Sequence, residues 1–429
     1  MAHRRRWLLV SIAVGLSIGG FACGDDDDES SGDAGAGTGD KSCSVTLSPS
    51  KDDQDKLQGA FIDAEKGDTI CLKKGRFKLT GQLTLATERV TVKGEEGTIL
   101  DFTDQSSGAN GIEISADHDT LDTLRIENPK GDGVRATAVD YPTIRNVHVE
   151  WTEGPNASNG GYGIYPVTSS HVLIEDCFAS GASDTGIYVG QSSDIIIRNN
   201  EATANVAGIE VENSTDAEVY GNHAHGNTGG ILVFNLPGLS VKDGKRANVH
   251  DNQIEDNNLA NFAPGGNIIA EVPQGTGLFV LASDDNEIHG NTIKNHKSIG
   301  ISIISWYLVQ RDEEGKMDPE YNFYPERNYV HDNIMSDNGA DLQGTSALIA
   351  AVADESRLPD LVWDGIIDTD NLGGGTVENG VPPESVRNCF KGNGAATFIN
   401  LDVEHDGAGK STDVKPYECT RDALKKIEF

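Results

Sequence analysis

The chain has 429 residues, with 68 Asp and Glu against 34 Lys and Arg, giving a formal net charge of −34. Apolar residues make up only 37%, and glycine is abundant at 50 copies. Such acidity argues against nucleic acid as a partner, since a phosphate backbone rewards clustered Lys and Arg, and it weakens any claim on a polyanionic substrate.

The first residues read as an address. His3-Arg4-Arg5-Arg6 is a basic n-region and Trp7 to Gly20 a short apolar stretch. Gly20-Phe21-Ala22-Cys23 resembles the lipobox of bacterial lipoproteins, which implies lipidation of Cys23; cleavage by an ordinary signal peptidase nearby is the alternative. Residues 1–22 are therefore expected to be a lipoprotein signal peptide. Residues 23–42, with Asp25-Asp26-Asp27-Asp28-Glu29 and then Ser, Gly and Ala, are expected to be a flexible acidic tether. This predicts an exported protein held on the bacterial cell envelope. Beyond the leader no stretch is long and apolar enough to span a bilayer.

Six cysteines suit an exported protein. Cys43 and Cys71 lie near one end of the domain and Cys389 and Cys419 near the other, so a disulfide within each pair is expected, although spacing alone leaves the connectivity open. Cys177 falls in a strand pattern and is expected to be a buried free thiol.

Repetition then decides the architecture. Gly186 opens GIYVGQSSDIIIRNNEATANVA, and Gly208 opens GIEVENSTDAEVYGNHAHGNTG. Comparable starts occur at Gly111, Gly133, Gly163, Gly230, Gly277 and Gly300, a period of about 22 with two expanded coils. Each unit reads as three short strands, because alternation over four to six residues is bounded by Gly, Asn, Ser and Asp. Asn200, Asn222, Asn252, Asn291 and Asn333 recur at one repeat position and predict a stacked ladder at a turn. The expected fold is all-β, a single-stranded right-handed parallel β-helix of about ten coils over residues 43–390. An amphipathic helix over 54–64 should cap its N-terminal end, and residues 391–429 the other.

GDTICLKKGRF, EWTEGP, YGIYPV, ASDTGIYVGQS, NVAGIEVENS, TGGILVFNLPG and NFAPGGNI together resemble a family of exported parallel β-helix repeat lipoproteins of unsettled function. That resemblance implies an exported dihaem c-type cytochrome as partner and no chemistry. The coils are more distantly similar to pectate lyases and other pectate-lyase-like β-helix proteins. Tyr162-Gly163-Ile164-Tyr165-Pro166 resembles the Tyr-Gly-Phe/Ile-Asp-Pro-His stretch of mannuronan epimerases, but Tyr165 replaces the Asp and Val167 the His. The epimerase acid/base pair is thus absent.

Insertions point to the site. Gly154 to Gly161, Asn235 to Arg246, Leu259 to Thr276 and Trp306 to Glu326 all flank the GIxV strand and should wall a groove. By alternation its floor carries Glu113, Arg135, Tyr165, Tyr188, Glu210, Leu232, Phe279 and Ser302, with Glu212 and Phe234 two residues on. Glu210 and Glu212 are the candidate catalytic pair, since two carboxyls act as acid and base when one holds its proton. Arg135, Tyr165, Tyr188, Phe234, Lys245 and Arg246 are the candidate substrate-binding residues. Lys245 and Arg246 could equally pair with local acids. No metal is expected; His223, His225 and Glu255 are the residues that could ligate one. Asp284-Asp285 is the place where Ca²⁺ would sit, without a complete calcium loop. The leading reading is a protein that binds a carbohydrate polymer along this groove; whether it also cleaves the polymer is left open at this point, and an enzyme here would be a polysaccharide lyase or glycoside hydrolase. The alternative is a non-catalytic β-helix that docks an exported protein such as the cytochrome.

Overall fold

The computed structural model describes residues 42–309, 318, 320–344, 346–347, 350, 356–378 and 380–429. The expected signal peptide, Cys23 and all of the expected tether except Ser42 lie outside the described residues. Among those residues, no helix is long and apolar enough to cross a membrane.

The repeat folds as a solenoid. Each GIxV segment pairs in parallel with the GIxV segment of the next coil, forming an 11-stranded ladder among the described residues. The two remaining strands of each coil join a second, 20-stranded parallel ladder. The first is called the floor sheet below, the second the wall sheet. Register follows the sequence alternation: Ile187, Ile209, Ile231, Leu278 and Ile301 align one above the other. All five are sealed in the interior, and burying each such side chain contributes about 1.5–3 kcal/mol. The opening glycine is there for space. A Cβ on Gly277 would sit 2.4 Å from the carbonyl oxygen of Gly300 in the next coil.

Two-residue turn signals set the corners. Asn199, Gly221, Asp251, Gly290, Asp332 and Gly392 all have φ between 52° and 70°. Only Gly, and Asn or Asp among L-residues, enter that region routinely. Each precedes a ladder asparagine. Asn200 donates its side-chain amide to Asn222, Asn222 to Asn252, Asn252 to Asn291, Asn291 to Asn333, and Asn333 to Asn393, at 2.9–3.0 Å. The expected ladder is therefore present and runs one rung further. Cys177 stands at its head as a buried free thiol, with its backbone N–H on Asn200 Oδ1.

The N-terminal end carries the expected helix. The helix Asp53–Asp63 turns Leu57 and Phe61 into the core, and Cys43–Cys71 ties the segment before it to the first coil. At the far end Cys389–Cys419 closes the tail, and Tyr417 packs edge-on against Trp363. The strand Phe398–Asn400 still pairs with Leu361–Trp363, so floor stacking continues into the segment expected as cap.

Candidate active site

The floor divides into two halves. On the lower coils the insertions fold down over it. Leu232, Phe234, Phe279, Leu281 and Ile304 form a second apolar core with Ile269, Val272, Trp306 and Tyr321 from the insertions. Phe234 is 1% exposed and meets Phe279 edge-on. The expectation of an open ring for substrate at Phe234 is thus corrected: five outward apolar side chains in two adjacent columns are too costly to leave in water, so the loops cover them. Between loop and floor remains an apolar cavity of about 80 Å³, lined by Phe234, Phe279, Leu281, Ile304 and Leu308.

The upper half is polar. Glu210 continues the column of Tyr188 and Glu212 that of Gly190. Tyr162, Tyr165 and Tyr188 form a ring cluster. Tyr162 and Tyr165 stack at 4.3 Å, and Tyr188 leans on both at 4.8 and 4.9 Å. Arg135 lies with its guanidinium carbon 5.0 Å over the Tyr165 ring and pairs with Asp132 at 3.4 Å.

Three carboxyls meet beneath these rings. Tyr188 donates its hydroxyl to Glu212 at 2.7 Å, and Tyr162 donates to Asp184 at 3.4 Å. Thr185 Oγ1 lies 2.6 Å from Glu210 Oε2 and 3.1 Å from Asp184 Oδ1. One hydroxyl hydrogen serves only one of these, so the second link needs a protonated carboxyl. Burial supplies it. Glu210 is 2% exposed, and burial, with Glu212 and Asp184 close by, pushes its carboxyl well above the ordinary range. Burial raises Asp184 and Glu212 as well, with the Glu212 charge adding to the rise at Asp184. Like charges in one dry site cannot all ionise, so the group shares protons at neutral pH.

Of the residues gathered in this cluster, Glu210, Glu212, Tyr165, Tyr188 and Arg135 are site candidates from the sequence, and Asp184, Tyr162, Thr185 and Asp132 are not. Asp184 and Thr185 were findable. The motif Ser183-Asp184-Thr185 stands immediately before a floor strand, where a side chain can turn onto the outer face. Glu210 is also placed differently from expectation, under Tyr188 and not in solvent.

The remaining candidates lie elsewhere. Lys245 and Arg246 open a strand of the wall sheet, Lys245–His250, and both are paired. Lys245 meets Asp243 at 2.5 Å, and Arg246 grips both oxygens of Asp216 at 2.6–2.7 Å. Of the two roles open to them, local pairing is the one present. At Asp284-Asp285 the Arg327 guanidinium reaches both carboxylates, at 2.9 and 2.7 Å, and so occupies the place considered for Ca²⁺.

Buried carboxyls also predict a pH response. Asp119 is sealed inside, and burial lifts it from 3.8 to about 7; Asp184, Glu210 and Glu212 move the same way. A raised carboxyl binds its proton more tightly folded than unfolded. Its stabilising contribution is thus complete below about pH 4 and lost as pH rises towards 7. We expect a melting temperature several degrees higher at about pH 5 than at about pH 8; thermal unfolding at the two values checks it, and the reverse order would contradict it.

Residues 89–236 match the family described as the right-handed beta helix region. No curated protein sequence matches the chain. Among solved structures, the A-module of mannuronan C-5 epimerase AlgE6 from Azotobacter vinelandii is similar at 17% identity, over 67% of this chain and 83% of that one, with a TM-score of 0.48. The AlgE4 A-module of the same organism gives 13%, 79%, 89% and 0.47, and the Dettilon tailspike protein gp208 gives 14%, 68%, 62% and 0.42. Stacked coils, corner residues and the family match over 89–236 together make this chain a right-handed parallel β-helix protein.

Proposed function

We propose that this protein binds a carbohydrate polymer across the upper floor and cleaves it by acid–base chemistry at Asp184 and Glu212, with Glu210 holding them in position. One observation carries the reading: three carboxyls with raised proton affinity, two of them bridged by the Thr185 hydroxyl and the third bonded by Tyr188, lie directly beside three packed tyrosine rings. Flat rings suit the faces of sugars, and carboxyls whose proton affinities are raised can work as acid and base near neutral pH. Glu212 is only half-buried and is the group best placed to touch substrate. Asp184 is its proton partner. Glu210, sealed below, acts as a positioning residue that keeps a proton in the network. Arg135 borders the site, with its guanidinium over the Tyr165 ring and paired with Asp132.

The setting we propose is the bacterial cell envelope, with Cys23 as the lipid anchor. Support comes from the two disulfides, which belong to an oxidising compartment.

The test is product detection. The full-length protein is incubated with neutral and acidic polysaccharides, with and without Ca²⁺, and the supernatants are analysed by mass spectrometry. New oligosaccharides are expected, and their mass separates hydrolysis, which adds water, from elimination, which does not. Silence across a broad panel would overturn the catalytic reading and favour docking of an exported protein such as a dihaem c-type cytochrome.

A further inference from the structure

The wall sheet holds a second constellation, on different strands from the acid cluster. His223 and His225 share the short strand His223–His225, and Ala224 between them is fully buried, so both rings face outward. In register, Glu201 lies beside His223 on one neighbouring coil, and Glu255 beside His225 on the other. The contacts cross this register diagonally. His225 Nε2 is 3.0 Å from Glu201 Oε1, and His223 Nε2 is 3.0 Å from Glu255 Oε1. The two rings stack at 4.1 Å between the carboxylates.

The two carboxylates differ. Glu255 is engaged by Lys294, whose Nζ lies 2.8 Å from its second oxygen. No lysine or arginine is paired with Glu201 among the described residues. One ligand atom from each of Glu201, His223 and His225 lies within 4.8 Å of the others. All three side chains reach solvent, so an ion can draw them to the roughly 3.3 Å separation of neighbouring ligands around a tetrahedral zinc. The net charge of −34 over the whole chain favours a cation over an anion at its surface.

We propose that Glu201, His223 and His225 form a surface site for one Zn²⁺ ion, with Glu255 as the outer carboxylate that orients His223. Glu255 accepts the Nε2–H of His223, which leaves Nδ1 as the nitrogen for the metal, the arrangement by which a carboxylate fixes the tautomer of a ligating histidine. His225 and Glu201 provide the other two ligands, and solvent completes the coordination. The donor set of two imidazoles and one carboxylate is one that zinc takes in proteins.

Zinc binding to the full-length protein is measured by competition with a chromogenic chelator, with circular dichroism to confirm that each variant keeps its fold. We expect one Zn²⁺ per chain. His223→Ala and His225→Ala should each weaken binding at least about tenfold, and Glu201→Gln about tenfold. Glu255→Gln should also weaken it, but less than Glu201→Gln, because Glu255 acts through His223. Affinity should fall on acidification, since a protonated imidazole cannot ligate. Absence of binding at micromolar zinc would overturn the proposal. So would unchanged affinity in the double variant His223→Ala/His225→Ala, which would place the ion elsewhere, for example on the stacked column His250, His289 and His331. A greater loss from Glu255→Gln than from Glu201→Gln would overturn the ligand assignment. Polysaccharide turnover is a separate readout and should survive Glu201→Gln.

Discussion

Glu212→Gln is expected to remove about 10²- to 10⁴-fold of polysaccharide turnover while leaving the fold intact. The substituted amide still accepts the Tyr188 hydroxyl, now at 2.7 Å on Glu212 Oε1, so packing around the ring is preserved. What is lost is a carboxyl that can give up and recover a proton. Glu210→Gln should cost much less. That carboxyl is neutral in its buried setting, and an amide of the same shape can still hydrogen-bond to Thr185. The pair of variants therefore separates chemistry from positioning. Initial rates with the best polysaccharide of the panel check it. Equal loss in both variants would assign Glu210 a direct chemical role, and no loss in Glu212→Gln would remove the catalytic reading of the cluster.

Asn222→Ala should destabilise the protein by about 3–6 kcal/mol, more than any surface substitution. Asn222 donates its amide to the Ile197 carbonyl at 2.9 Å and to Asn252 at 3.0 Å. Its oxygen accepts both the backbone N–H and the side-chain amide of Asn200, each at 2.9 Å. Truncation leaves buried polar groups of three coils without these partners, at about 1–3 kcal/mol for each group left unsatisfied. Asn156→Ala, in an exposed loop, is the control and should change stability by less than about 0.5 kcal/mol. Denaturant unfolding of the two variants measures the difference. A loss below about 1 kcal/mol for Asn222→Ala would mean that the ladder does not carry the load assigned to it.

Much of this was legible because the solenoid is nearly one-dimensional. A residue's vertical neighbours are its equivalents one period away, so the spacing of Gly186, Gly208 and Gly230 sets the register without tertiary knowledge. Gln253 beside His223 and Glu255 beside His225 were readable for the same reason. A second ladder went unread. Asn205, Asn227 and Asn257 repeat the pattern one turn on, behind Ala204, Gly226 and Asp256 in left-handed backbone. A lone alanine in that conformation breaks the Asn, Asp or Gly signal that marks the other corners.

The sequence by itself determined the coil, its stacking direction and register, the first asparagine ladder and the N-terminal capping helix. Those follow from period-2 alternation, glycine at close approaches and left-handed corners, all local properties repeated many times. Tertiary structure decided the site. Insertions carry no period, and only their folded path shows that they seal Phe234 and Leu281 while leaving Tyr165 and Glu212 within reach of solvent. The same holds for Asp184, whose place beside Glu210 depends on a turn between sheets. Proton affinity is likewise a property of surroundings: Glu210 differs from an ordinary glutamate only because the fold has taken water away from it.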